Sequence, residues 1–242
     1  MTTNILKDYQ ALSVTAADEI IAAVKNKETA VLCLAAGDTP KLAYALLAQK
    51  AKRENVGFSR CTFIGLDEWV GIAPENEGTC RYFLYRNLFE PLGIRPSQIH
   101  LFDGLAKDLP GECRKMDDVI AAKKGIDLML VGVGMNGHIG FNEPGTPADS
   151  YSHVVDLDST TQSVGQKYFA QATTLRQGIT LGLKHFLESG RAVLMAGGKK
   201  KAEVIREALE GPVTPRMPAS IIRRHPNGIA ILDQEAASGL TV

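Results

Sequence analysis

The sequence predicts an α/β protein built on a mostly parallel sheet with helices on both faces. Its strand-like segments are near-continuous apolar runs rather than alternating ones, as expected of strands buried on both sides. Those runs alternate along the chain with segments whose apolar residues recur at helical spacing. The first run, Ala30–Leu34, passes through Gly37-Asp38-Thr39-Pro40 into a helix over KLAYALLAQKAKR, with Leu42, Ala45 and Leu46 in phase. Cys61–Leu66 is the next strand and ends at the charged pair Asp67–Glu68. Residues 80–89, CRYFLYRNLF, form a helix with Phe83, Leu84 and Leu88 on one face. Asp127–Val133 is the most apolar strand and runs into the glycine-rich segment Gly134–Gly140. Ala192–Ala196 is followed by Gly197-Gly198 and a helix starting at Lys199; Gly228–Leu232 is the last strand. No linker composition or internal repeat interrupts the pattern, so residues 1–242 are expected to form a single domain.

Composition excludes several classes. The chain carries 27 Lys plus Arg against 27 Asp plus Glu, a formal net charge of zero. It therefore lacks the field that draws a protein to nucleic acid or to an anionic membrane. With 45% hydrophobic and 22% charged residues, it can bury a normal core and is too apolar for a disordered chain. The longest apolar stretch, Ile126–Met135, is broken by Asp127 and two glycines, well short of the ~18–20 residues of a bilayer span. The start MTTNILKDYQ has no basic segment followed by an apolar one, so a cytoplasmic location is expected. Cys33, Cys61, Cys80 and Cys113 are widely spaced without a CxxC pair, which predicts reduced thiols rather than a disulfide frame. His100, His153, His185 and His225 lack metal-ligand spacing, and no metal is expected.

In parallel sheets ligands sit at the carboxyl ends of strands. That rule selects Gly37–Pro40, Asp67–Glu68, Gly134–Glu143 and Gly197–Lys201. Gly37-Asp38-Thr39-Pro40 reads either as a plain helix start, with Thr39 as cap, or as a phosphate seat on exposed helix amides. It matches neither a Walker loop nor a dinucleotide fingerprint. Asp67 and Glu68 either mark the return to solvent or supply a general base; Trp69 reads as packing. Gly132–Pro144 is the most informative segment, placing Asn136, His138, Asn142 and Glu143 among glycines and apolar residues. A carboxylate on the same compact loop can orient an imidazole and raise its basicity. Lys199-Lys200-Lys201 at a helix start opposes the macrodipole, which an anionic ligand would offset.

The string GHIGFNEPG at 137–145, LDEWVG at 66–71 and the Gly-x-Thr-Pro turn at 37–40 resemble the glucosamine-6-phosphate deaminase (isomerase) family. QGITLGLKHFL at 177–187 and PASIIRRHPN at 218–227 fit the same family, near its galactosamine-6-phosphate isomerase branch. The likeness extends from about Leu32 to about Leu232. It implies a three-layer, Rossmann-like α/β fold and conversion of an amino-sugar 6-phosphate to a ketose 6-phosphate and ammonia. The substrate would be glucosamine 6-phosphate, giving fructose 6-phosphate, or galactosamine 6-phosphate, giving tagatose 6-phosphate. No cofactor is implied, and the expected assembly is a monomer or small homo-oligomer. By position, Asp67 would move the proton between C2 and C1, and His138, supported by Glu143 and Asn136, would handle the ring oxygen. The phosphate would meet Gly37, Asp38, Thr39, Lys167 and Lys201.

Alternatives are a 6-phosphogluconolactonase-like hydrolase, or a non-catalytic sugar-phosphate sensor of the kind fused to transcription regulators. A sensor is expected to lose Asp67, His138 or Glu143, and all three are present. Three positions depart from the family pattern. Asn136 stands where the large allosteric members have aspartate, and Lys167 replaces an arginine, keeping charge but losing the bidentate fork. Asp38 takes a place usually held by Gly or Ser; beside a phosphate it must point away or pair with a lysine. In residues 146–155, where large members bind an acetylated effector, this chain has no Arg or Lys, and His153 and Val155 stand where cations are expected. No activation by that effector is expected.

Overall fold

The computed structural model describes residues 1–241. In chain order its elements are β1 (Thr2–Leu6), α1 (Tyr9–Asn26), β2 (Val31–Leu34), α2 (Asp38–Arg53), β3 (Thr62–Ile64) and β4 (Asp67–Trp69). Then come α3 (Cys80–Leu84), α4 (Glu90–Leu92), β5 (Ile99–His100), α5 (Leu109–Ala122) and β6 (Leu128–Val131). The remainder is β7 (His153–Asp156), α6 (Ser159–Gly165), β8 (Gln177–Thr180), α7 (Leu183–Glu188), β9 (Arg191–Ala196), α8 (Ala202–Glu210) and β10 (Gly228–Asp233).

Seven strands form one parallel sheet in the order β1-β10-β9-β6-β2-β3-β5. Side chains alternate between its two faces, as the period of a strand requires. Leu32, Leu34, Leu128, Leu130, Val193 and Met195 pack under α1, α2 and the 80–92 segment. Cys33, Met129, Val131, Leu194, Ala196 and Leu232 pack under α5, α7 and α8. Two helical layers on a parallel sheet confirm the predicted fold class, and they explain why the strands read as unbroken apolar runs.

Several elements differ from the sequence reading. Residues 80–89 are not one α-helix: α3 passes through a π-turn at Tyr85–Phe89 before α4. Lys199–Lys201 form a 3-10 turn and α8 starts only at Ala202. Asp67–Glu68 do not end the Cys61–Leu66 strand but open β4, which leaves the main sheet. There β4 joins β8 and β7 in an antiparallel sheet, pairing Asp67 with Thr180 and Trp69 with Gly178. Thr39 is no cap: Gly37, at φ +108°, takes the N-cap position of α2 without a side-chain hydrogen bond, and Asp38 is the first helical residue. A positive φ there suits glycine, and it points the first amides of α2 outward.

Under the small sheet, Trp69 fills a satellite core with Phe141, Leu157, Phe169 and Leu175. Its ring stands 4.6 Å from Phe141 and 5.9 Å from Phe169, and its indole N–H donates to the Gly78 carbonyl at 3.2 Å. This satellite locks the Gly134–Pro144 loop against β4 and so sets the spacing across the cleft described next.

Candidate active site

The carboxyl ends of β2, β6 and β9 open with β4 and α6 onto a cleft of about 220 Å3. Asp67, Asn136, His138, Lys167 and Lys201 all line it, together with the Gly37–Thr39 turn. Segments up to 164 positions apart in sequence, from Gly37 to Lys201, thus converge on one rim, as the strand-end rule predicted.

His138 sits on the glycine loop, which closes on itself through Gly134 N–H donating to the His138 carbonyl at 2.9 Å. A Cβ at Gly134 would run into the imidazole, so only glycine lets the ring lie this close to the backbone. Nδ1 of His138 is 3.0 Å from Thr161 Oγ1 and 3.3 Å from Glu143 Oε2. Glu143 Oε2 also accepts from Asn136 Nδ2 at 2.7 Å, and Asn136 Oδ1 accepts from the His138 amide at 3.3 Å. Burial works to raise the Glu143 carboxyl, but His138, Thr161 and Asn136 outweigh it and hold the group below its usual range. An ionised Glu143 keeps the ring proton on Nδ1 and leaves Nε2 as the nitrogen free for a substrate. Asn142, polar and on the same loop, serves the scaffold instead: it is buried, and its Nδ2 donates to the carbonyls of Ile139 and Leu181, both at 2.8 Å.

Asp67 stands at the start of β4, largely shielded from solvent. Burial pushes its carboxyl up to about 6, while the Cys80 thiol beside it and the charge on His138 pull the other way. Glu68 points away from the cleft and accepts the backbone N–H groups of Trp69 (2.8 Å), Cys80 (3.1 Å) and Arg81 (2.8 Å). It thereby caps α3 and fixes Cys80 against Asp67. Burial pushes Glu68 up to about 7, with those three donors favouring its ionised form. The strand-end pair thus divides its labour: Asp67 reaches the cleft and Glu68 holds the frame.

The phosphate-side candidates occupy the opposite end. Of the three consecutive lysines only Lys201 turns inward, its Nζ donating to the Val133 carbonyl at 2.6 Å; Lys199 and Lys200 are exposed. Burial, helped by the charge of Lys167, brings Lys201 down to about 8. Lys167 Nζ meets Asp38 Oδ2 at 2.7 Å, so the departure at position 38 is accompanied by the lysine pairing its charge requires. Asp233, buried at the end of β10, accepts the Gly198 N–H at 2.9 Å and so anchors the turn that carries Lys201.

Sequence reasoning missed Thr161, Cys80 and Tyr168, which also line the cleft. Thr161 lies in STTQSVG, a stretch with no signal beyond its hydroxyls, and only the folded proximity of α6 to His138 identifies it. All four cysteines are free and buried. Among the described residues no group of three or more His, Cys, Asp or Glu could hold a metal ion.

Comparison with known proteins agrees with this geometry. The model of the family described as glucosamine-6-phosphate isomerases/6-phosphogluconolactonase matches residues 7–231. The glucosamine-6-phosphate deaminase of Thermoanaerobacter pseudethanolicus is 38% identical, over 98% of this chain and 94% of that protein. That of Lachnoclostridium phytofermentans is 40% identical, over 90% of this chain and 93% of its own. A solved monomeric glucosamine-6-phosphate deaminase, 34% identical, superposes with a TM-score of 0.95 over 99% of this chain and 100% of the other. The 6-phosphogluconolactonase of Trypanosoma brucei shares the fold at a TM-score of 0.79 and 18% identity, over 99% of this chain and 98% of its own. A match over nearly the whole length, with Asp67 and His138 lining one cleft and Glu143 buried behind the imidazole, places this chain in the glucosamine-6-phosphate isomerase/6-phosphogluconolactonase family.

Proposed function

We propose that the protein is an amino-sugar-phosphate deaminase that converts glucosamine 6-phosphate and water to fructose 6-phosphate and ammonia. One observation carries the reading: a shielded carboxylate, a carboxylate-oriented imidazole and a lysine-bearing helix start share one cleft. The relatives described above are named for the glucosamine substrate, which favours it over the galactosamine epimer.

The chemistry follows from the positions. His138 Nε2 takes the proton of the anomeric hydroxyl as C1–O1 becomes a carbonyl and the C1–O5 bond breaks. It then returns that proton to O5. Glu143 balances the imidazolium formed in between, and Thr161 and Asn136 keep Glu143 and the ring in place. On the open chain Asp67 removes the proton from C2 and delivers it to C1, while a proton passes from the amine nitrogen to O1, so that C1 becomes a CH2OH group and C2 an imine. Water adds to that carbon and ammonia departs. A carboxyl near 6 is mostly ionised at neutral pH yet basic enough to take a carbon-bound proton, which an ordinary aspartate does less well. The 6-phosphate anchors against the start of α2, Lys167 and Lys201, and the amides there favour an anion. No step calls for an organic cofactor or a metal.

The same reading has the enzyme working as a single domain and as a monomer, the state named for the solved deaminase that superposes at a TM-score of 0.95. The reading also has the protein acting on a sugar phosphate in the cytoplasm. Among the described residues no helix is long and apolar enough to cross a membrane. The test is ammonia release from glucosamine 6-phosphate and galactosamine 6-phosphate, run beside hydrolysis of 6-phosphogluconolactone. Ammonia from the glucosamine ester is the expected result. Lactone hydrolysis without ammonia release would replace the proposal with the lactonase reading.

A further inference from the structure

Asp38 does not fit a phosphate seat as a ligand, because two anions do not share one pocket of cations without cost. Its surroundings nevertheless look built. The carboxylate reaches across to Lys167, 129 positions away, at 2.7 Å, and bonds nothing else. It stands on the first residue of a 16-residue helix, where the amides and the macrodipole favour negative charge. Lys167 in turn lies 4.8 Å from the centre of the Tyr168 ring. The backbone beneath Asp38 is pinned separately: the Tyr9 hydroxyl, from α1, donates to the carbonyls of Asp38 (3.0 Å) and Thr39 (2.9 Å). The two ends of the ion pair are 68% and 51% exposed for Asp38 and Lys167. The carboxylate can therefore swing into water without disturbing the turn that bears it.

We propose that Asp38 is a resident competitor for the substrate's phosphate, occupying Lys167 and the start of α2 until a sugar-borne phosphate displaces it. The inference rests on the reading that Gly37–Thr39, Lys167 and Lys201 seat the phosphate. With the carboxylate in place, one of the two lysine charges is cancelled, which weakens the seat for every phosphate alike. A sugar phosphate keeps its contacts with Asp67 and His138 and remains a usable ligand. Free inorganic phosphate has only the seat and is weakened by the same factor. Asp38 thus raises KM and the phosphate inhibition constant together, and free phosphate occupies a smaller share of the resting enzyme.

The test uses Asp38→Asn and Asp38→Ser, with glucosamine 6-phosphate as substrate and inorganic phosphate as competitive inhibitor. An exposed ion pair plus nearby repulsion predicts that KM and the phosphate inhibition constant both fall by about three- to tenfold, with kcat held within about twofold. In a Lys167→Ala background the gain from Asp38→Asn should largely vanish. An undiminished gain there would show that the carboxylate does not act by occupying Lys167. KM and inhibition constants that stay put or rise in both Asp38 variants overturn the proposal, and a melting temperature that moves alone assigns Asp38 a structural role. Lys201→Ala separates the two levels of inference. If it weakens phosphate inhibition while Asp38→Asn has no effect, only the competitor idea fails. If neither Lys201→Ala nor Lys167→Ala alters phosphate inhibition, the seat itself lies elsewhere.

Discussion

At one end of the cleft, His138, Glu143, Asn136 and Thr161 hold one another through a closed set of side-chain contacts between 2.7 and 3.4 Å. At the other end, Lys167 and Asp38 meet in a single half-exposed ion pair. The first arrangement suits proton transfer, which needs an imidazole fixed within tenths of an ångström and shielded from competing water. The second suits docking, because an exposed pair is worth ~1 kcal/mol or less and yields to a ligand. Local stability is spent where geometry decides the rate and withheld where a partner must exchange.

The sharpest way to break this contrast is at Asp67. Asp67→Asn should lower kcat by at least about two orders of magnitude, the scale of a lost general base, with the fold intact. The same variant tests the burial argument. Because the folded-state carboxyl is raised from 3.8 to about 6, the folded form binds its proton more tightly than the unfolded chain. That contribution is fully present below about pH 4 and is lost as pH rises through 6. The variant should therefore melt a few degrees above the wild type at pH 8, and the gap should close near pH 4. Wild-type kcat/KM should fall below about pH 6 as Asp67 takes up its proton.

The closed network makes its own demand on the proton-handling pair. His138→Gln and Glu143→Gln should each cost about a hundredfold in kcat, and the double variant should be little worse than the more damaging single. Full additivity would mean that Glu143 does something other than orient the ring. Lys201→Ala, at the docking end, should raise KM about ten- to a hundredfold with little change in kcat, the scale of one charge-assisted hydrogen bond. Since Lys201 is brought down to about 8, wild-type kcat/KM should also decline above pH 8 as its charge is lost. Thr161→Val keeps the shape but removes the hydroxyl against Nδ1. A drop of about fivefold in kcat at constant KM is expected, and an equal rise in KM would move Thr161 to the docking side. The smallest effect belongs to residues 146–155, where His153 bonds the Tyr151 carbonyl within its own segment. Saturation curves should stay hyperbolic and unchanged by N-acetylglucosamine 6-phosphate. A sigmoidal curve that this ligand makes hyperbolic would refute that.

What could be read from the sequence follows from how local each signal is. Strands β2, β6, β9 and β10 were legible because burial on both faces forces apolar runs. The glycine loop was legible because its polar residues are contiguous. The small sheet was not: Asp67-Glu68-Trp69 pairs with Gly178–Thr180 across more than a hundred residues, and neither segment alternates. Edge strand β1, TTNIL, is exposed along most of its length and carries no hydrophobic pattern to betray it. Helix α1 did carry one, with Leu12, Ala16, Ala17, Ile20, Ile21 and Val24 buried at helical spacing, although it precedes the first strand that anchored the prediction. Charge logic required that Asp38 point away or pair with a lysine, but that the lysine is Lys167, like the place of Thr161, needed the tertiary structure.

Strand β1 has a consequence for how the chain is made. Among the described residues its only sheet partner is β10, with Thr2 beside Ile229 and Leu6 beside Asp233. At about 5–20 residues per second of synthesis, β1 waits on the order of ten to fifty seconds for the strand it pairs with. Until then it has no template, and β10 emerges with one edge unclaimed. Both circumstances slow closure of the sheet, since contacts of this sequence separation form late. The β1–β10 ladder thus joins segments separated by more than two hundred residues, and β1 is most open to mispairing until β10 has been made.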